Sequence, residues 1–200
     1  MKTILFQGDS ITDTFRIRDD INNLGEGYVS LVPALLKEEC RIINKGISGE
    51  TTTDILKRWD SECIDLKPDI LCMLMGINDT WRKYDSNMPT TLEQFAQNIE
   101  AMLSSVREKL PNTHIIIAEP YVVHTQGKNI HFREDLDPKI RELRRLAVKY
   151  KTDYIPLDGL LASAATRIPM ELLSEDSVHP SEEGMKIIAQ CFANTINMIL

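Results

Sequence analysis

Four short segments of this chain carry the residue types that acyl transfer needs. Ser10 follows an apolar run at a Gly8-Asp9-Ser10 corner, which sets its hydroxyl and backbone N–H together at the end of a strand. A serine hydroxyl is a weak nucleophile until a base removes its proton, so it requires a histidine and a group that holds that histidine. Of the four histidines, His114 opens an apolar run and reads as packing, while His124 and His131 sit in polar sequence with no acid placed to orient them. His179 differs, because Asp176-Ser177-Val178-His179-Pro180 sets a carboxylate three positions ahead of it, in a turn just before a helix. There Asp176 would accept the Nδ1–H bond, fix the tautomer and stabilise the imidazolium formed when Nε2 takes the Ser10 proton.

Acyl transfer also needs donors aimed in advance at the developing oxyanion. Gly49 offers an unobstructed backbone N–H, Asn78 a side-chain amide, and Ser10 its own N–H. Each feature alone has a plainer reading: an N-cap serine, a capping aspartate beside a surface histidine, a turn glycine, a turn Asn-Asp. Their combination carries the argument.

The elements that must position these residues follow from periodicity. Apolar runs of strand length occupy residues 3–7, 41–44, 69–75, 114–118 and 154–157. Helical patterns lie between them, the clearest being Leu92, Phe95, Ala96, Ile99, Met102, Leu103, Val106 and Leu110, with a capping box expected from Thr91 and Gln94. A final amphipathic stripe from Ile187 to Ile199 follows Pro180 and the acidic pair Glu182-Glu183, which complements a helix dipole. Alternating strands and helices imply βαβ units and a three-layer α/β/α sandwich around a mostly parallel, five-stranded sheet. In such a sheet the site lies beyond the carboxyl ends of the strands, where the Ser10, Gly49 and Asn78 segments and Glu119-Pro120-Tyr121 fall, while Asp176 to His179 lies in a loop before the last helix. Residues 16–27, 81–90 and 123–137 read as polar surface excursions.

The chain has 200 residues, 42% hydrophobic and 26% charged, which suits one globular domain over residues 1–200 with a packed core. A net charge of -7 argues against nucleic acid as a partner. Cys40, Cys63, Cys72 and Cys191 show no C-x-x-C spacing and read as free thiols. The apolar run after Lys2 stops at Gln7, too short for a signal peptide, and no stretch reaches the roughly 18 apolar residues of a membrane span. Free thiols then favour the cytoplasm. The dispersed histidines offer no metal-ligand cluster, so neither metal nor cofactor is expected.

Taken together, Gly8-Asp9-Ser10-Ile11, Gly49 within residues 44–51, Gly76-Ile77-Asn78-Asp79 and Asp176-x-x-His179 resemble the four blocks of the GDSL/SGNH hydrolases, in the family's order. The resemblance implies a flavodoxin-like sandwich, a cofactor-free esterase or acylhydrolase, Ser10, Asp176 and His179 as the catalytic residues, and Ser10, Gly49 and Asn78 as the oxyanion hole. Asp9 then reads as bonding nearby backbone, and is also a candidate substrate contact. A narrower similarity, through residues 6–13, Gly27-Tyr28, residues 44–49, Arg58-Trp59 and residues 76–82, is to bacterial acetylxylan esterases of this type. It implies an acetylated sugar as the small-molecule ester substrate, and a homo-oligomer. Residues 16–27 look different from theirs. Trp81 and Arg82, next to the Asn78 block, would then stack on a sugar and bond its hydroxyls, with packing beneath the loop as the equal alternative for Trp81. Trp59 reads as packing or an oligomer contact.

Other readings are a lysophospholipase, a thioesterase, a general short-chain carboxylesterase, or a non-enzymatic flavodoxin-like ligand-binding domain. The last lacks both G-x-G-x-x-G and G-x-x-x-x-G-K-[ST] and leaves the triad unexplained.

Overall fold

The computed structural model describes residues 1–123 and 129–200, so His124 lies outside the described residues. Five strands form the sheet: β1 (Thr3–Gly8), β2 (Arg41–Asn44), β3 (Ile70–Leu74), β4 (His114–Ala118) and β5 (Asp153–Ile155). Their order is β2-β1-β3-β4-β5 and each neighbouring pair is parallel. The helices are α1 (Ser10–Asp13), α2 (Tyr28–Leu31), α3 (Thr52–Lys57), α4 (Ile77–Asp85), α5 (Leu92–Lys109), α6 (Arg133–Tyr150), α7 (Leu157–Ala164), α8 (Met170–Leu173) and α9 (Glu182–Ile199).

Alternation within the strands divides the core in two. Ile4 and Phe6 of β1 join Ile70, Cys72 and Leu74 on one face, packed against Tyr28, Leu157, Leu161, Ile188 and Phe192. Leu5 joins Leu71 and Met73 on the other, under Ile55, Phe95, Met102 and Leu146. Strands covered on both faces must be apolar at successive positions, which is why β3 is buried throughout. The three layers expected from the sequence are these.

Several boundaries differ from expectation. Residues 81–85 are the end of α4, and residues 133–137 are the first turns of α6, rather than surface excursions. Leu157 begins α7 instead of closing β5. The capping box of α5 is half formed: Thr91 accepts from the Gln94 backbone, but the Gln94 side chain donates to Asn98 at 2.9 Å. A reciprocal box stands instead at α3, between Thr51 and Asp54. Trp59 is 2% exposed and its indole N–H donates to Ser105, so it packs.

The chain leaves β1 for β2 on one side and returns past it to β3 on the other. Sheets of this order bind ligands where the direction reverses. Ser10 leaves β1 at that switch point, flanked by the segments leaving β2 and β3. Among the described residues no helix is long and apolar enough to cross a membrane.

Candidate active site

Ser10 is the first residue of α1, which Asp9 caps by accepting from the Ile11 backbone N–H at 3.1 Å. The corner demands glycine at position 8, where a Cβ would stand 2.3 Å from both the Leu74 carbonyl and the Thr12 hydroxyl. Asp9 itself is 1% exposed, with Oδ2 buried and lacking a hydrogen-bond partner among the described residues. Burial pushes its carboxyl up to about 7, against the opposing pull of the Ile11 bond. This corrects the idea of Asp9 as a substrate contact: the side chain is spent on the turn and does not reach solvent.

Asp176 and His179 meet as the spacing requires. The Asp176 Oδ1 accepts from the backbone N–H groups of Val178 and His179 at 2.9 and 2.7 Å, closing the turn, and Ser177 adopts φ 76 within it. That leaves Oδ2 for the imidazole, 2.6 Å from Nδ1, while Nε2 lies 2.9 Å from the Ser10 Oγ. The bond to Asp176 raises the His179 pKa above its ordinary 6.5, with partial burial opposing. Burial likewise works against the Asp176 charge, but the bonds from His179 and the turn backbone hold the carboxyl far below the usual range. The geometry therefore supplies an oriented imidazole in contact with a hydroxyl, able to act as its base when neutral.

The segments after β2 and β3 are tied to this corner. Ile47 donates its backbone N–H to the Gly8 carbonyl at 3.1 Å, and Ser48 to Asp13 at 2.8 Å. Gly49 has φ 85, which a side chain adopts with strain, and a Cβ there would stand 3.2 Å from the Arg82 guanidinium. Asn78 is 4% exposed; its Nδ2 donates one hydrogen to the Glu50 carbonyl at 3.0 Å and keeps a second. Asp79 locks the two segments together, accepting from the Thr52 backbone and hydroxyl at 2.9 and 2.5 Å.

Arg82 is partly exposed, pairs with Asp85 and reaches the Gly49 carbonyl at 3.4 Å. Trp81 is half-buried, its ring 5.6 Å from those of both His179 and Phe132. The packing alternative describes it better than the sugar platform. A cavity of about 640 Å³ opens beside Ser10 and His179, lined also by Phe15, Arg18, Pro180 and Met185. Sequence reasoning passed over Phe15 and Arg18, whose only signal was their proximity to Ser10. Among the described residues no group of three or more His, Cys, Asp or Glu side chains is placed to hold a metal ion.

A parallel sandwich with a serine, histidine and aspartate in hydrogen-bonded series at its switch point defines a serine hydrolase. The chain belongs to the GDSL-like lipase/acylhydrolase family, whose profile matches residues 6–187. It is 32% identical to an acetylxylan esterase of Geobacillus stearothermophilus, over 96% of this chain and 93% of that protein. The crystal structure of an acetylxylan esterase from Geobacillus stearothermophilus superposes with a TM-score of 0.89 at 28% identity, covering 98% of this chain and 94% of the other. A candidate GDSL-like lipase from Parabacteroides merdae gives a TM-score of 0.92 at 29% identity, covering 100% of this chain and 96% of that one. The chain is accordingly a serine esterase acting on carboxylic ester bonds.

Proposed function

We propose that the protein is a carbohydrate O-acetylesterase that removes acetyl groups from xylo-oligosaccharides or similar sugars through an acyl-enzyme on Ser10. The continuous series Ser10 Oγ, His179 Nε2, His179 Nδ1, Asp176 Oδ2 carries the chemistry of this reading. The acetylxylan esterase relative supports its substrate.

In the first half, Ser10 Oγ bonds to the acetyl carbonyl carbon while its proton passes to His179 Nε2. The carbonyl oxygen takes the negative charge and faces the N–H groups of Ser10 and Gly49 and the second amide hydrogen of Asn78. The C–O bond to the sugar then breaks, and His179 returns the proton to the departing hydroxyl. In the second half, water gives its proton to His179, attacks the acetyl-serine, and acetate leaves as Ser10 recovers its hydrogen.

The test is acetate release from acetylated xylo-oligosaccharides by the wild type and by Ser10→Ala, with p-nitrophenyl acetate and octanoate alongside. Acetate released by the wild type and abolished in the variant, with acetyl esters preferred over octanoyl, is the expected result. Undiminished activity in Ser10→Ala would overturn the mechanism; preference for octanoyl would overturn the substrate.

A further inference from the structure

Phe15 is the exposed aromatic residue that stands beside the nucleophile. Its side chain is 84% exposed, and it lines the cavity that holds Ser10 and His179. Its backbone is in the left-handed region at φ 61, directly after Thr14 at φ 33, so two successive non-glycine residues hold a conformation that L-residues disfavour.

This conformation is fixed from both sides. Thr14 donates its backbone N–H to the Ser10 carbonyl at 3.1 Å and its hydroxyl to the Ile11 carbonyl at 3.0 Å, and its own carbonyl accepts from Glu26 at 2.8 Å. Arg16 is buried and donates through Nε to the Gly46 carbonyl at 2.8 Å. Phe15 is therefore a ring carried into solvent by a backbone pinned on either flank. Trp81 spends its ring on His179 and Phe132, whereas no other aromatic side chain contacts Phe15 among the described residues. Arg18, which lines the same cavity, is held by Asp13 through one nitrogen at 3.1 Å, and its half-exposed guanidinium has further N–H groups to offer.

We infer that Phe15 is the specificity-determining platform of the site: its face receives the apolar C–H face of the sugar ring that bears the ester, while Arg18 bonds the ring's hydroxyls. This rests on the sugar O-acetylesterase reading above. A face of C–H bonds against an aromatic ring combines desolvation with attraction to the ring's electron-rich face, and the cavity volume lies within the range of small-molecule sites.

The experiment compares kcat/KM on acetylated xylo-oligosaccharides with kcat/KM on p-nitrophenyl acetate, for the wild type, Phe15→Ala, Phe15→Tyr and Phe15→Gly. The ratio of the two should fall about 2- to 12-fold in Phe15→Ala, the range expected for loss of one aromatic stacking contact. Phe15→Tyr, which keeps the ring, should restore it. Phe15→Gly removes ring and backbone strain together, so its Tm should not fall below that of Phe15→Ala while its ratio is equally low, which separates recognition from stability. An unchanged ratio in Phe15→Ala, or a ratio that Phe15→Tyr fails to restore, would overturn the platform alone. A wild type that cleaves p-nitrophenyl acetate but releases no acetate from the oligosaccharide would overturn the sugar reading, and the platform with it.

Discussion

Asn78 donates its side-chain amide to the backbone carbonyl of Glu50 at 3.0 Å, so the amide proposed to face the oxyanion is oriented by the segment that also carries Gly49. Glu50 is held in turn: its carboxylate accepts from Arg58 Nε at 2.7 Å, and Arg58 Nη1 reaches Gln7 at 3.1 Å and Glu62 at 2.7 Å. One guanidinium thus links β1, the segment after β2, and the π-helical segment Asp60–Ile64. Asn78→Ala should lower kcat by roughly 10²–10³-fold with a smaller change in KM, since a preorganised donor acts on the transition state. Arg58→Lys should move kcat in the same direction, because an ammonium cannot reproduce a fork that grips Glu50 and Glu62 at once. Steady-state kinetics showing KM alone affected in Asn78→Ala would move that residue to ground-state binding.

The pH dependence follows from the His179–Asp176 pair. His179 must be neutral to accept the Ser10 proton, and its bond to Asp176 raises its pKa above 6.5, so kcat/KM should rise with pH through an ionisation above that value. Asp176→Asn should shift the midpoint downward and cut kcat severely, by ~10⁴ if it follows the serine-protease pattern. Stability runs the opposite way. A histidine whose pKa is raised on folding stabilises the fold below its unfolded value, and that contribution is lost as pH rises through the folded value. His179 is part-exposed, so the shift in Tm will be small beside the change in activity. A profile of the same midpoint in wild type and Asp176→Asn would contradict the pairing.

How much of this was readable in the chain depends on whether a feature is local. The strands were legible because β1 and β3 are short continuous apolar runs ended by glycine-bearing corners, and the site was legible because Ser10, Gly49 and Asn78 follow strand ends while Asp176 and His179 share one short turn before α9. Helix α6 was not, since its buried Leu136, Ile140, Leu143 and Leu146 stand among ten charged side chains and Pro138 reads as a breaker, although the helix continues through it. Helix α4 hid for a similar reason: beyond Thr80 it is mostly polar and only partly covered. The burial of Asp9, the exposure of Phe15 and the reach of Arg58 to Gln7 depend on long-range packing that no local pattern encodes.

Asp9 makes a separate prediction about stability. Burial raises its pKa from 3.8 to about 7, so the folded protein favours the protonated carboxyl. The associated stability is fully present below 3.8 and is lost as pH rises to about 7, above which the folded state carries a buried charge. Asp9→Asn keeps an oxygen for the Ile11 N–H and has no proton to lose. Its Tm should therefore fall less than that of the wild type across this window, and parallel melting curves at all pH values would contradict the assignment.

Trp81 offers a last test, because its position separates support of the base from recognition of a sugar. Its ring is tilted 49° to the His179 imidazole at 5.6 Å, and it packs on Phe132, which stacks with Tyr84 at 5.0 Å. This aromatic row packs against His179, limiting the rotation of an imidazole that must stay aligned with both Asp176 and Ser10. Removing the indole leaves the ring of His179 free to sample other rotamers, so fewer molecules hold the reactive geometry at any moment. Trp81→Ala should lower kcat on acetylated xylo-oligosaccharides and on p-nitrophenyl acetate by the same factor, and Trp81→Phe should recover part of the loss on both. The outcome to compare is that of Phe15→Ala, where the loss should depend on whether the substrate carries a sugar. A loss in Trp81→Ala confined to the oligosaccharide would return the sugar contact to the indole and remove its role behind the base.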